Sequence, residues 1–137
     1  MKKFVLPAVM IALLALVACG KSEGGGPTAT TSTGSGGGGG NVVEMAGANF
    51  VQQSVSVHAG QAVIFRDPQA TGAYHILCLG LDQSCKSNPQ GPSELNTSSG
   101  ITFNAGDPDK SIVFPNTGTF TVTCTIHTNM NVTVTVS

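Results

Sequence analysis

Apolar and polar residues alternate along the last stretch of the chain. Phe120, Val122 and Cys124 fall on one side and Thr119, Thr121 and Thr123 on the other. After a short break, Val132, Val134 and Val136 resume the alternation. A period of two marks a strand with one buried face. The same pattern in shorter pieces predicts strands over 42–45, 54–58, 62–66, 74–79, 101–103, 111–114, 119–125 and 131–136. Turn-forming clusters separate them: Ala59-Gly60, Asp67-Pro68, Asn88-Pro89-Gln90-Gly91-Pro92, Asp107-Pro108 and Asn116-Thr117-Gly118. Residues 80–100 show no alternation and are expected to form an irregular loop, with one helical turn near Ser93, Glu94 and Leu95. About eight short strands without helical periodicity predict an all-β fold, a Greek-key β-sandwich over residues 41–137. That length suits one small domain.

The N-terminal pattern differs. Lys2 and Lys3 precede an apolar run from Phe4 to Val17 that ends in small residues, the layout of a secretory signal. The run is too short for a comfortable membrane span. Leu16-Val17-Ala18-Cys19 resembles the bacterial lipobox, whose cysteine becomes the lipidated first residue of the mature chain. The resemblance implies a signal peptide over 1–18, a lipid on Cys19, and a place outside the cytoplasm, on the periplasmic or cell-surface side of a bacterial membrane. Gly20 in place of Asp gives no argument for retention at an inner membrane. Residues 20–40, GKSEGGGPTATTSTGSGGGGG, hold too little apolar surface to offset the entropy of ordering. A Gly/Ser-rich coil of that length spans roughly 25 Å. Residues 19–40 are therefore expected to be a lipidated cysteine and a flexible tether.

Charge narrows the partners. Beyond the signal, Lys21, Arg66, Lys86 and Lys110 stand against Glu23, Glu44, Asp67, Asp82, Glu94, Asp107 and Asp109, a formal net charge of −3. Nothing is basic enough to point to nucleic acid.

The chemistry lies between the last two strands. Cys124-x-x-His127-x-x-Met130 supplies a thiol, an imidazole and a thioether within seven residues. Thiolate and thioether select copper(I), and imidazole suits both oxidation states of copper. A second histidine would complete a plane of two His and one Cys with a long axial Met. His75, at the start of a predicted strand, is the candidate. Taken singly, Cys124 reads as a buried thiol, Met130 as core and His75 as a hydrogen-bonded core histidine. Their spacing between two alternating strands favours a copper site. His58 falls at a strand end and is expected at the surface.

This terminal stretch resembles the cupredoxins, the amicyanin and pseudoazurin branch in particular, which share the Cys-x-x-His-x-x-Met spacing. Two further blocks resemble the same family. Phe50 to Asp67 has its aromatic, alternating strand, Gly60 turn and Val63-x-Phe65 strand, and Gly118-Thr119-Phe120-Thr121-Val122-Thr123-Cys124 has its lead-in to the cysteine. The resemblance covers nearly all of residues 41–137. It implies copper ligation by His75, Cys124, His127 and, axially, Met130. Three departures stand out. Ile76 replaces an Asn that in the family ties the two ligand loops together, Ile126 replaces a frequent Pro before the second histidine, and Gln52 replaces a common Pro.

Cys78 and Cys85 are left over. An even pair outside the cytoplasm favours a disulfide, which would close a short loop after the His75 strand. The alternative is that one of them binds metal. Alternation opposes this for Cys78, because Leu77 and Leu79 share the face of His75.

The expected function is that of a type 1 (blue) copper protein, a one-electron carrier between extracytoplasmic or membrane-bound redox partners. Three strong ligands and a weak fourth leave no ready position for a substrate. No second metal cluster, nucleophile triad or carboxylate pair is visible, so an enzyme is not expected. The resemblance implies that partners dock near His127, at Gly72, Ala73, Tyr74, Ile126 and Thr128, and the domain is expected to be monomeric. The alternative is a module for copper storage or delivery, and a third reading is an immunoglobulin-like domain without metal.

Overall fold

The computed structural model describes residues 40–137, so the expected signal, the lipidated Cys19 and the tether up to residue 39 lie outside the described residues. Ten strands follow in order: β1 (Val42–Ala46), β2 (Asn49–Phe50), β3 (Ser54–Val57), β4 (Ala62–Arg66), β5 (His75–Leu81), β6 (Ser84–Cys85), β7 (Ile101–Phe103), β8 (Lys110–Val113), β9 (Gly118–Cys124) and β10 (Asn131–Val136). One sheet runs β2-β1-β4-β8, and the other runs β3-β10-β9-β5-β6 with β7 also paired to β5. The result is the expected all-β sandwich. Two pairings are parallel, β1 with β4 and β10 with β3, so the chain crosses between the layers after β2 and again after β3.

All eight expected strands are present, with some ends moved by one or two residues. The two additional strands, β2 and β6, are two residues long and too short to alternate visibly. Residues 80–100 are less irregular than expected, because β5 continues to Leu81 and returns through β6 as a hairpin. The turn residues Asp82 and Gln83 have φ of 48° and 66°. A tight hairpin requires such left-handed pairs, usually of Asn-Gly type, so Asp-Gln gives no sequence signal. Past the hairpin a single turn does form, with Leu95 N–H and Asn96 N–H both donating to Pro92 O at 3.2 and 3.1 Å.

The alternating residues form one core. Val43, Met45, Val63, Phe65, Ile112 and Phe114 face Leu77, Leu79, Phe103, Phe120, Val122, Val132 and Val134 across the sandwich. Two tilted aromatic pairs join the layers, Phe65 with Phe103 at 6.4 Å between ring centroids and Phe114 with Phe120 at 5.5 Å. Each such pair is worth about 0.5–1.5 kcal/mol beyond its buried area.

One position departs from the alternation. Thr123 belongs to the polar face of β9, yet it is fully buried. The β5–β6 hairpin lies over that face and covers it, with Gln83 N–H donating to Thr123 Oγ1 at 3.1 Å.

Candidate metal centre

Strand register assembles the site. Leu77 of β5 pairs with Cys124, the last residue of β9. His75 lies two residues before Leu77 on the same face, which brings it to the loop after Cys124. That loop is short and internally tied: Cys124 N–H donates to Met130 O at 3.0 Å, and Met130 N–H to His127 O at 3.4 Å. Asn129, with φ of 59°, turns the chain back into β10.

Three donor atoms converge there. Cys124 Sγ lies 3.9 Å from His75 Nδ1 and 3.5 Å from His127 Nδ1, and the two Nδ1 atoms are 3.2 Å apart. The imidazole rings meet edge to face, 4.9 Å between centroids. A first-row ion at ligand distances of about 2.0–2.3 Å separates its donors by about 3.5 Å in a trigonal plane. The triangle fits such an ion. Cys124 is a buried free thiol, His75 is fully buried, and His127 is half-buried at the surface end of the site. Met130, the last residue of this loop, is buried in the core cluster. Cys78 and Cys85 are joined in a disulfide with Cα atoms 5.6 Å apart. His58 is exposed, its Nδ1 3.1 Å from Ser137 Oγ.

Asp67, which the sequence marks only as part of an Asp-Pro turn, belongs to the site. Its carboxyl is buried, with Oδ1 3.8 Å from His75 Nε2. Oδ1 accepts the Ala73 N–H at 3.2 Å, while Oδ2 and His75 Nε2 have no hydrogen-bond partner. At 3.8 Å the pair is too long for a hydrogen bond. Burial pushes the His75 pKa down, against the pull of the Asp67 carboxylate, and His127 lowers it further. Burial pushes the Asp67 pKa up, against His75 and the Ala73 N–H. A neutral His75 has one ring N–H and one lone pair. With the N–H at Nε2 facing Asp67, the lone pair of Nδ1 faces Cys124 and His127. An ion on Nδ1 would make that N–H more acidic and draw it to the carboxylate, the usual outer partner of a metal-bound histidine. The orphaned pair thus fits a metal on the other side of the ring.

Gly72 is required by this arrangement. A Cβ there would run into Asp67 Oδ1 and Pro68 O. Ile76 offers no side-chain donor between the two ligand segments, and its carbonyl instead accepts the Thr125 N–H at 2.9 Å.

Sandwich and site together define the cupredoxin fold. Solved structures of amicyanin are among those that match. The crystal structure of amicyanin from Paracoccus versutus (Thiobacillus versutus) matches with a TM-score of 0.50 and 18% identity, over 70% of this chain and 79% of that one. A reduced Cu(I) form of an amicyanin variant matches with a TM-score of 0.51 and 19% identity, over 74% of this chain and 85% of that one. An oxidized amicyanin variant gives the same values. At these identities the likeness is one of fold. No protein-family model matches the chain, and no curated protein matches it significantly.

Proposed function

We propose that this chain is a type 1 (blue) copper protein that carries single electrons between extracytoplasmic or membrane-bound redox partners. The observation that carries the reading is the buried triangle of His75 Nδ1, Cys124 Sγ and His127 Nδ1. Soft sulfur beside two imidazoles is the donor set that copper favours in electron-transfer sites. Met130, buried at the end of the same loop, is the proposed weak fourth ligand. When bound, copper supplies a one-electron couple between Cu(I) and Cu(II).

The protein's part is to hold the donors still. His75 and Cys124 sit on paired strands of one sheet, and His127 is fixed by a six-residue loop between two long strands. A site held this rigidly gives the ion little freedom to rearrange between oxidation states. It is also closed to substrate on its buried sides, which favours a carrier over an enzyme. His127 is the only one of the three that reaches the surface, beside the exposed Ile126 and Tyr74. With Gly72, Ala73 and Thr128 these form the proposed docking surface. Lipidation at Cys19 and the tether that follows would hold the domain at a bacterial membrane.

The test is to add Cu(II) to the purified metal-free chain. An intense visible thiolate-to-copper charge-transfer band is expected, and Cys124→Ser is expected to abolish it. No band in the native chain would defeat the reading. Transfer of the ion itself to an acceptor, without reversible Cu(II)/Cu(I) cycling, would assign the site to copper storage or delivery instead.

A further inference from the structure

Behind the candidate ligands lies a second layer, of which the sequence signals only the Cys78–Cys85 disulfide. Cys78 of β5, Thr123 of β9 and Asn131 of β10 are paired in register across three adjacent strands. They form one row on the outer face of the sheet. Two candidate ligands are chain-adjacent to this row, Cys124 after Thr123 and Met130 before Asn131; His75 lies on the strand of Cys78, and His127 lies in the loop between Thr123 and Asn131.

The β5–β6 hairpin folds over this row and engages all three members. Cys85 bonds Cys78. Gln83 N–H donates to Thr123 Oγ1 at 3.1 Å, and Gln83 Nε2 donates to Thr125 O at 3.3 Å. Asp82 N–H donates to Asn131 Oδ1 at 3.1 Å, and Asn131 Nδ2 donates back to Asp82 Oδ1 at 2.9 Å. The hairpin therefore grips the chain on both sides of the Cys124–Met130 loop. Two features of its backbone serve this placement. Gly80, at φ of 149°, lets β5 bend, and a Cβ there would run into Ser84 O. Asp82 and Gln83 both hold left-handed φ, where Gly would fit with less strain but would make none of the side-chain bonds.

We propose that the disulfide-closed β5–β6 hairpin is a clamp that positions the metal-binding loop, with Asp82 and Gln83 as its positioning residues. The proposal rests on the copper reading for its purpose, but the clamp itself can be measured without metal. It ties the strand of His75 to the loop of the other three candidate ligands through side chains that touch neither ion nor ligand atoms. The clamp adds to the backbone ties between the two ligand segments, which are the Leu77–Cys124 strand pairing and the Thr125 N–H bond to Ile76 O.

The experiment compares the full native chain with Gln83→Ala, Cys78→Ala/Cys85→Ala and a control, Asn116→Ala. The control removes one bond of similar kind, to Gln90 O at 3.0 Å, before the opposite end of β9. Hydrogen exchange of the loop amides is measured on the metal-free chains. The Cu(II) charge-transfer spectrum and the rate of copper loss to a chelator are measured on the loaded ones. For Gln83→Ala, loop exchange and copper loss should each rise about three- to tenfold, the range that loss of one modest hydrogen bond allows. The band should shift, and Asn116→Ala should do none of this. Unchanged loop exchange and spectrum in Gln83→Ala would overturn the clamp. If the variant without cystine does not fold, Gln83→Ala still decides the question. A native chain that gives no copper band would defeat the copper reading, while loop exchange would still decide for or against the clamp.

Discussion

Replacing Asp67 by Asn should move metal affinity and metal-free stability in opposite directions. Asp67 Oδ1 lies 3.8 Å from His75 Nε2, with both groups buried. Two unit charges at that separation attract by about 4 kcal/mol at an effective dielectric of 20. An imidazole bound to an ion carries only part of that charge, so the loss is smaller. Removing an outer partner of a metal-bound histidine typically costs 10–100-fold in affinity, about 1.4–2.7 kcal/mol. Copper affinity of Asp67→Asn should therefore fall by that factor, read by competition with a chelator of known strength. The metal-free protein should respond the other way. Burial raises the Asp67 pKa, so the folded state binds the proton more tightly than the unfolded state. The ionised carboxylate thus costs stability above the folded pKa, and the cost is removed as pH falls through it. Asn keeps the acceptor for Ala73 N–H and removes the charge. Urea unfolding of the metal-free variant at pH 7 should show a higher midpoint than the native chain, with the gap narrowing as pH falls through the raised Asp67 pKa. Native-like copper affinity together with lower metal-free stability would show that Asp67 neither supports a metal-bound His75 nor carries a buried charge.

Two further outcomes follow from the same corner of the fold. Gly72→Ala should cost about 1–3 kcal/mol through forced overlap with Asp67 and Pro68 O, and should weaken copper binding more than a distant substitution of equal cost; chemical unfolding with copper titration checks both. In the metal-free Asp67→Asn chain, stability should fall on acidification from pH 7 to 5. The His75 pKa is depressed below its ordinary 6.5 by burial, so the unfolded state takes up a proton the folded state refuses. Asp109, held low by the Arg66 guanidinium, and Asp107, held low by Asn104, extend the loss to more acidic pH. A flat unfolding midpoint over pH 7 to 5 would count against a buried neutral His75.

Alternation alone specifies eight of the ten strands and groups three of the four candidate ligands. Period-two alternation over Phe120, Val122, Val132, Val134 and Val136 leaves one arrangement for β9 and β10, with Cys124 ending β9 and His127 and Met130 in the loop between them. Local spacing reports local structure, so this was legible. His75 was legible only as a histidine on a strand, because its approach to Cys124 depends on the pairing of Leu77 with Cys124, a register set by the whole sheet. Asp67 looked like a turn residue, since nothing in Asp-Pro signals that the turn will be buried against an imidazole. Thr123 looked solvent-facing because alternation says which side of a sheet a residue is on, and not what will cover that side. The cover is the hairpin around Asp82 and Gln83, whose strands are too short and whose turn is too unusual to read in one dimension. The donors were written in the chain, but only packing across strands decided what stands behind them.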